Sequence, residues 1–427
     1  MKLWQKDIPI DEKIEAFTVG NDREIDLHLA AYDCQASMAH AKMLGKIGLL
    51  TNEEVVQLVD ALATIQKTAE NGTFTIEDAF EDMHSKIEYL LVEKLGDLGK
   101  KIHTARSRND QVLVALQLYL KNALENIEQK VMTLFDLLLQ LAETHQNKLM
   151  PGYTHMQVAM PSSFGLWFAA YAESLIDDRM LIRTAYGLVD QNPLGSAAGF
   201  GSSFPIDREM TTRDLGFATL KYNVVAAQMG RGKVEKVTAM AIGGLAATLA
   251  KMAMDVCLYM GQEFKFIQFP DSLTTGSSIM PHKKNPDVFE LIRGKCNMLQ
   301  ALPQNLAQLT TNLPAGYHRD LQLAKAPLLN AVAEINTCLD IFHHSIEQIQ
   351  IRDGILEHPQ YDPLFTVDTL NEWVKAGMPF RTAYQQMAKA VADGSYQPNR
   401  VLDHQHVGSV GQLALEAIRN KMAALLG

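Results

Sequence analysis

The sequence predicts an all-α protein built around a bundle of long helices. Three observations carry this. Residues 112–150 contain neither Gly nor Pro, and Leu113, Leu116, Leu120, Leu124, Ile127, Val131, Leu134, Leu138 and Leu141 recur at steps of three and four, the spacing of one helix face. Residues 206–269 also lack proline and hold helical patterns around a Met/Ala-rich stretch from Met240 to Met260. Strand-like alternation is nearly absent.

The elements follow in chain order. A helical N-terminal domain is expected over 1–106, with a turn at Asn71-Gly72. The long helix comes next; at about 1.5 Å per residue it spans roughly 55 Å, more than a single compact domain needs, which points to a bundle shared between subunits. Pro151-Gly152 ends it. Ala239, Ala241, Gly243, Gly244, Ala246 and Ala247 allow close helix approach in the next stretch. A further long helix is expected to start at Asn285, with Asn as the cap, Pro286 at the first helical position and Asp287 in the first turn. The central bundle is thus expected over 107–350 and a small helical C-terminal domain over 351–427.

Composition sets limits. The 427 residues are 47% hydrophobic and 21% charged, with a net charge of -10 and a pI near 5.7. This balance argues against a nucleic-acid footprint. Cys34, Cys257, Cys296 and Cys338 form no CxxC pair, which argues against a structural metal or redox motif and for a reducing compartment. The N-terminus has no apolar run of signal length, and no apolar stretch has membrane flanks, so the expected location is the cytoplasm, away from membranes.

Four polar loops interrupt the helices, at ends where backbone N–H groups are free to meet anions. "GSSIMPHKKNPD" at 276–287 carries two serines, a histidine and two lysines. Gly276 and Pro281 exclude a continuous helix. The segment reads either as a polar linker ending in a cap or as a hinged lid over an anionic substrate; a serine near lysines suits proton transfer. "PGYTHMQ" at 151–157 offers His155 beside Thr154 and Gln157. In "TARSRNDQ" at 104–111, Asn109 or Asp110 caps the long helix with both arginines solvated, or the arginines clamp a carboxylate. "NPLGSAAGFGSSFPIDR" at 192–208 reads as a packed Gly/Ala/Ser linker, since no strand precedes it and no Gly-Lys-Ser/Thr follows.

Together these blocks resemble the fumarase/aspartase superfamily, whose signature is the GSSxMPxKxN segment. Within it the chain most resembles the argininosuccinate lyases, through "SRNDQ" (107–111), "GYTHMQ" (152–157), "FPIDRE" (204–209), "MPHKKNPDVFELIRGK" (280–295), "DCQASMAHAKML" (33–44) and "EDMHSKIE" (81–88). The match covers roughly residues 30–330. Departures are "LWQKD" near the N-terminus without the usual Gly-Gly-Arg, Ala105 where the family usually has Gly, "QVAMPSS" at 157–163, and Tyr384 where His is common.

The resemblance implies a three-domain fold, a homotetramer with active sites each assembled from three subunits, and the β-elimination of argininosuccinate to arginine and fumarate without metal or organic cofactor. It nominates Ser277 as the base that removes the carbon-bound proton and His155 as the partner acid, held by Glu290 from another subunit; the opposite assignment stays open. The proton is weakly acidic, so charge developing as an aci-carboxylate must be stabilised, a task for Lys283 and Asn285. Ser37, Asn109, Thr154, Tyr317, Gln322 and Lys325 are nominated for substrate binding, and Arg108 as a carboxylate ligand. Asp82 and His84 are expected near the site or on the exposed face of a helix. No GxSxG elbow supports a hydrolase. Competing readings are adenylosuccinate lyase or another fumarate-releasing member, and a non-catalytic crystallin-like scaffold on the same fold.

Overall fold

The computed structural model describes residues 11–425; "LWQKD" at 3–7 lies outside them. In chain order the main elements are helices α1 (Ala30–Lys46), α2 (Asn52–Glu70), α3 (Met83–Leu95) and α4 (Arg108–Thr144), the hairpin β1 (Leu149–Thr154) and β2 (Gln157–Ser163), then α5 (Phe164–Val189), α6 (Arg208–Asp214), α7 (Val224–Met229), α8 (Lys233–Met260), strand β3 (Ile267–Gln268), α9 (Asp287–Leu299), α10 (Lys325–Ile346) and strand β4 (Gln350–Ile351). Three short helices, α11 (Thr366–Lys375), α12 (Phe380–Ala392) and α13 (Leu415–Ala424), follow. The fold is helical, as predicted. Among the described residues the strands form only two-stranded pieces.

The predicted long helix is α4, 37 residues. Every member of its nine-residue apolar stripe is buried; each such side chain contributes about 1.5–3 kcal/mol over exposure. Its first turns are buried on all sides, with Val112, Val114, Ala115, Gln117 and Leu118 also inside. The small-residue stretch of α8 behaves as expected: Ala239, Ala241 and Ala246 are buried, and a Cβ on Gly243 would stand 3.6 Å from Pro303. The region 224–260 is apolar and long enough to span a bilayer by composition alone, yet its small and branched side chains are mostly interior.

The chain forms two compact units, each drawn from three segments. One takes residues up to Glu128, Leu181–Gly243 and Met298–Ile335; the other takes Gln129–Met180, Gly244–Asn297 and Asn336 onward. The long helices α4, α5, α8 and α10 are each divided between them. The first unit seats Val114 and Leu118 of α4 on Ala36 and Ala39 of α1, with Leu194, Leu215 and Phe217; alanines let the two backbones approach. In the second, Trp167, Phe168, Tyr171, Tyr259, Phe264 and Phe266 form a linked set of ring contacts. Asp255 accepts hydrogen bonds there from Trp167 Nε1 (2.9 Å) and Tyr171 Oη (2.7 Å), satisfying both polar tips.

Two local expectations are corrected. "PGYTHMQ" folds as the β1–β2 hairpin rather than a loop, with Thr154 opposite Gln157 across a two-residue turn. The helix expected at Asn285 begins at Asp287. The Asn285 N–H donates to Thr275 O at 2.8 Å in an antiparallel bridge, which holds it in extended backbone and delays the helix.

Candidate active site

The first unit holds a cavity of about 240 Å³ whose wall includes Arg108, Asn109, Tyr317, Gln322 and Lys325, five of the nominated substrate ligands. The start of α4 brings in Arg108 and Asn109. Its cap is Ser107, neither Asn109 nor Asp110: the Ser107 hydroxyl accepts the Asn109 N–H (3.3 Å), and the Asp110 carboxylate reaches back to the Ser107 N–H (2.9 Å). The Asp110 contact is the return half of a capping box with Asp in place of Glu, while the Ser107 hydroxyl takes the second N–H of the helix rather than the third. Neither flanking arginine is solvated. Arg106 is buried and donates to Ser37 Oγ at 2.8 Å, so Ser37 braces the loop and stands outside the cavity wall. Arg108 is half-buried and held by Glu81 (3.1 Å), Asp82 (3.0 Å) and Ser85 Oγ (3.0 Å).

Tyr317, Gln322 and Lys325 arrive on the turn that leads into α10. Lys325 is buried, with Nζ 2.7 Å from Asp26 and 3.0 Å from Asp22. Burial alone lowers an ammonium pKa, but the two carboxylates outweigh it and raise that of Lys325. Burial is the stronger influence on Asp22, whose carboxyl is pushed up. His84 lines the same cavity and stands 3.1 Å from buried Asp33, an ion-pair contact. Burial pulls its pKa down; Asp33, then Asp82 and Asp26, reverse this and raise it. Burial pushes Asp82 up, but the charges of His84 and Arg108 leave it lowered. The cavity therefore pairs fixed cations with carboxylates at hydrogen-bond range. It suits a zwitterion, a ligand carrying both an ammonium or guanidinium group and a carboxylate.

Sequence reasoning missed Asp22, Asp26, Glu81, Arg231 and Arg319 in this wall. One signal was available: a lysine in an otherwise apolar helix start needs carboxylate partners if buried, and Asp22 and Asp26 are spaced one helical turn apart.

The second unit carries the remaining nominated residues, Ser37 aside, on two exposed elements and on α9. His155 and Met156 form the hairpin tip, with φ of 53° and 60°. Two consecutive left-handed residues match the primed turn that right-twisted strands require, a conformation side chains other than Gly, Asn and Asp resist. The hairpin thereby projects Thr154 and His155 outward, both exposed. The second element is the 275–285 loop, closed by the Thr275–Asn285 bridge. The Asn285 side-chain amide donates to Thr275 Oγ1 (3.3 Å) and Gly276 O (3.4 Å). Lys284 pairs with Asp271. Lys283 is exposed. Ser277 is half-buried and its hydroxyl accepts the Met280 N–H at 3.1 Å, leaving its proton free to be given away. Glu290, exposed on α9, lies 3.8 Å from Arg293. Among the described residues no hydrogen bond joins Ser277, His155 or Glu290 to one another.

The "NPLGSAAGFG" loop is a packed support, as expected. Asn192 to Ala197 are buried. Asp110 Oδ2 accepts the Gly195 (3.0 Å) and Ala197 (2.9 Å) N–H groups, and Arg208 Nε donates to Leu194 O (2.8 Å). The loop thus fixes the start of α4, and with it Arg108 and Asn109.

Comparison with known proteins is consistent with this picture. Residues 5–300 match a family model described as lyase. The chain is 51% identical over 426 residues to the argininosuccinate lyase of Parabacteroides distasonis, covering all of this chain and 96% of that one. It is 51% identical to the argininosuccinate lyase of Phocaeicola vulgatus, over 99% of this chain and 94% of that one. Among solved structures, EDDS lyase in complex with formate superposes with a TM-score of 0.81 at 21% identity, covering 96% of this chain and 90% of that one; this supports the fold. The helical architecture, the ordered motifs and the whole-length identity agree, and the chain belongs to the argininosuccinate lyase family of carbon–nitrogen lyases.

Proposed function

We propose that the protein cleaves argininosuccinate to L-arginine and fumarate, and that it does so as a homotetramer with composite active sites. The observation that carries the reading is the pairing of a charge-lined cavity, holding Arg108, Asn109, Tyr317, Gln322 and Lys325, with roughly half of all positions identical to named argininosuccinate lyases along the whole chain. The cavity takes the arginine half of the substrate: Asp22, Asp26 and Asp82 face its cationic groups, and Arg108 and Lys325 its carboxylate.

The succinate half needs the other nominated residues. Thr154 and His155 on the hairpin, and Ser277, Lys283 and Asn285 on the loop, are exposed or half-buried, available to a neighbouring copy. Exposed apolar side chains on the long helices support such neighbours: Met180 and Leu181 on α5, Met240 and Met254 on α8, Leu291 and Met298 on α9. Apolar side chains left in water on several helices suit association with further copies.

In the reaction, Ser277 removes the proton next to the carboxylate, with Lys283 and Asn285 stabilising the charge that develops. His155, oriented by a neighbour's Glu290, protonates the departing guanidino nitrogen; the reverse assignment of Ser277 and His155 uses the same atoms. Ser37, which accepts a hydrogen bond from Arg106, is kept among the substrate-binding residues of the proposal. The division into 1–106, 107–350 and 351–427 belongs to the same proposal. So does a cytoplasmic location, supported by the four cysteines Cys34, Cys257, Cys296 and Cys338, which form no CxxC pair.

The test is fumarate absorbance on incubation with argininosuccinate and, separately, adenylosuccinate. Release from argininosuccinate alone is expected; release from adenylosuccinate alone overturns the reading. The hydrodynamic mass, expected at four chains, tests the assembly.

A further inference from the structure

The segment from Pro314 to Lys325 is a wall between two cavities. Tyr317, Arg319, Gln322 and Lys325 face the substrate cavity. Pro314, Gly316 and His318 face a second one, of about 230 Å³. Across it stand Lys233 and Lys236, in the first turn of the 28-residue helix α8. Among the described residues no carboxylate lines this second cavity. Lys221 adds to the positive charge nearby: its Nζ would lie 3.4 Å from a Cβ on Gly230. Burial lowers the Lys221 pKa, and the charge of Lys233 lowers it further, as expected where cations crowd together.

Arg231 lines both cavities. It is only 6% exposed. One terminal nitrogen donates to Leu321 O at 3.2 Å, and the guanidinium lies over the Tyr317 ring, 5.5 Å from its centre. Its Nε and Nη1 have no hydrogen-bond partner among the described residues. The nearest carboxylate oxygen, Glu235 Oε1, is 4.0 Å from Nε, beyond hydrogen-bond range, and has no hydrogen-bond partner among the described residues; Glu235 Oε2 accepts the Gly232 N–H at 2.6 Å. Idle donors on a buried guanidinium are costly. An anion seated between Arg231 and the two lysines would satisfy them, helped by the positive end of α8.

We infer that this second cavity binds a small tetrahedral oxyanion of the phosphate class through Arg231, Lys233 and Lys236, and that its occupancy is felt in the substrate cavity through the contact of Arg231 with Tyr317. A planar fork and two point charges match a phosphate dianion. Drawing Arg231 toward the anion loosens its hold on Tyr317, so the two ligands are coupled with a reciprocal change in affinity.

The test is calorimetric titration of the full chain with inorganic phosphate at constant ionic strength, set by chloride. Wild type is compared with Lys233→Gln/Lys236→Gln, whose fold is verified by its thermal midpoint. Saturable binding is expected, weakened at least about tenfold in the double variant, which loses two charge-assisted contacts. With saturating arginine present, binding persists with an affinity changed a few-fold. The absence of saturable binding, or equal affinity in the double variant, overturns the site; abolition by arginine does so too, because the ion would then occupy the substrate cavity. The arginine arm rests on the proposed function and the double-variant arm does not, so failure of one is distinguishable from failure of the other.

Discussion

Asp110 accepts the N–H of Gly195 at 3.0 Å, joining the first turn of α4 to a loop 85 residues further on. The same carboxylate takes the N–H groups of Ala197 and Ser107, so one fully buried side chain organises the backbone on which Arg108 and Asn109 stand. Hydrogen bonds to a charged acceptor contribute about 1.5–3 kcal/mol each. Burial pushes the Asp110 pKa up against the three N–H donors, which discounts their sum. Asp110→Ala is expected to lower the unfolding free energy by about 3 kcal/mol, read from urea titration. A loss below 1 kcal/mol would show that the loop holds itself.

Lys325 is the second structural test. Replacing it with Met leaves Asp22 and Asp26 facing each other without a cation. Breaking a buried ion pair on one side costs about 3–5 kcal/mol. A drop of that size in chemical unfolding is expected for Lys325→Met, with recovery of part of it in the variant that also carries Asp26→Asn. An unchanged midpoint would mean the carboxylates are already neutral.

The His84–Asp33 contact predicts a pH dependence of defined sign. The His84 pKa is raised above its ordinary 6.5, so the folded state holds the proton more tightly than the unfolded one. The associated stability is fully present below about pH 6.5 and is lost as pH rises through the folded value. Asp33→Asn should therefore be less stable than wild type by about 3 kcal/mol at pH 6, and the gap should narrow toward pH 9. It does not vanish, since Asp33 also acts on Arg106. A gap that widens with pH contradicts the assignment.

Ala105 has φ of 62°, the left-handed region that an L side chain enters at a cost of about 1 kcal/mol or more. The family's usual Gly removes that strain and adds chain entropy to the unfolded state. The net expectation for Ala105→Gly is a gain of about 0.5–1 kcal/mol, seen as a higher thermal midpoint. A lower midpoint would show that the methyl group packs usefully.

Ser277→Ala is expected to keep the fold, because the hydroxyl's contacts are local. Fumarate release should fall by at least about 10²-fold, the lower bound for losing a positioned proton-transfer group. Turnover near wild type with an unchanged thermal midpoint would remove Ser277 from the chemistry.

Legibility followed range along the chain. The helical class, the α4 stripe and the polar loops were readable because they depend on spacing within a few turns: every third or fourth apolar residue is dictated by helix geometry itself. The "PGYTHMQ" hairpin was not, since two left-handed residues that are neither Gly nor Asn carry no turn signature. The cap of α4 was placed two or three residues late because the Ser107 hydroxyl takes the Asn109 N–H while the Asp110 carboxylate turns back to the Ser107 N–H.

The sequence by itself determined the helices, the order of the motifs and the chemistry of each isolated block. Only the tertiary structure decided that Arg106 donates to Ser37, that Asp22 and Asp26 neutralise Lys325, and that Arg231 stands between two cavities. The physical reason is that pattern reports which face of an element is apolar, whereas the partner of a buried charge is fixed by packing between segments up to 299 residues apart.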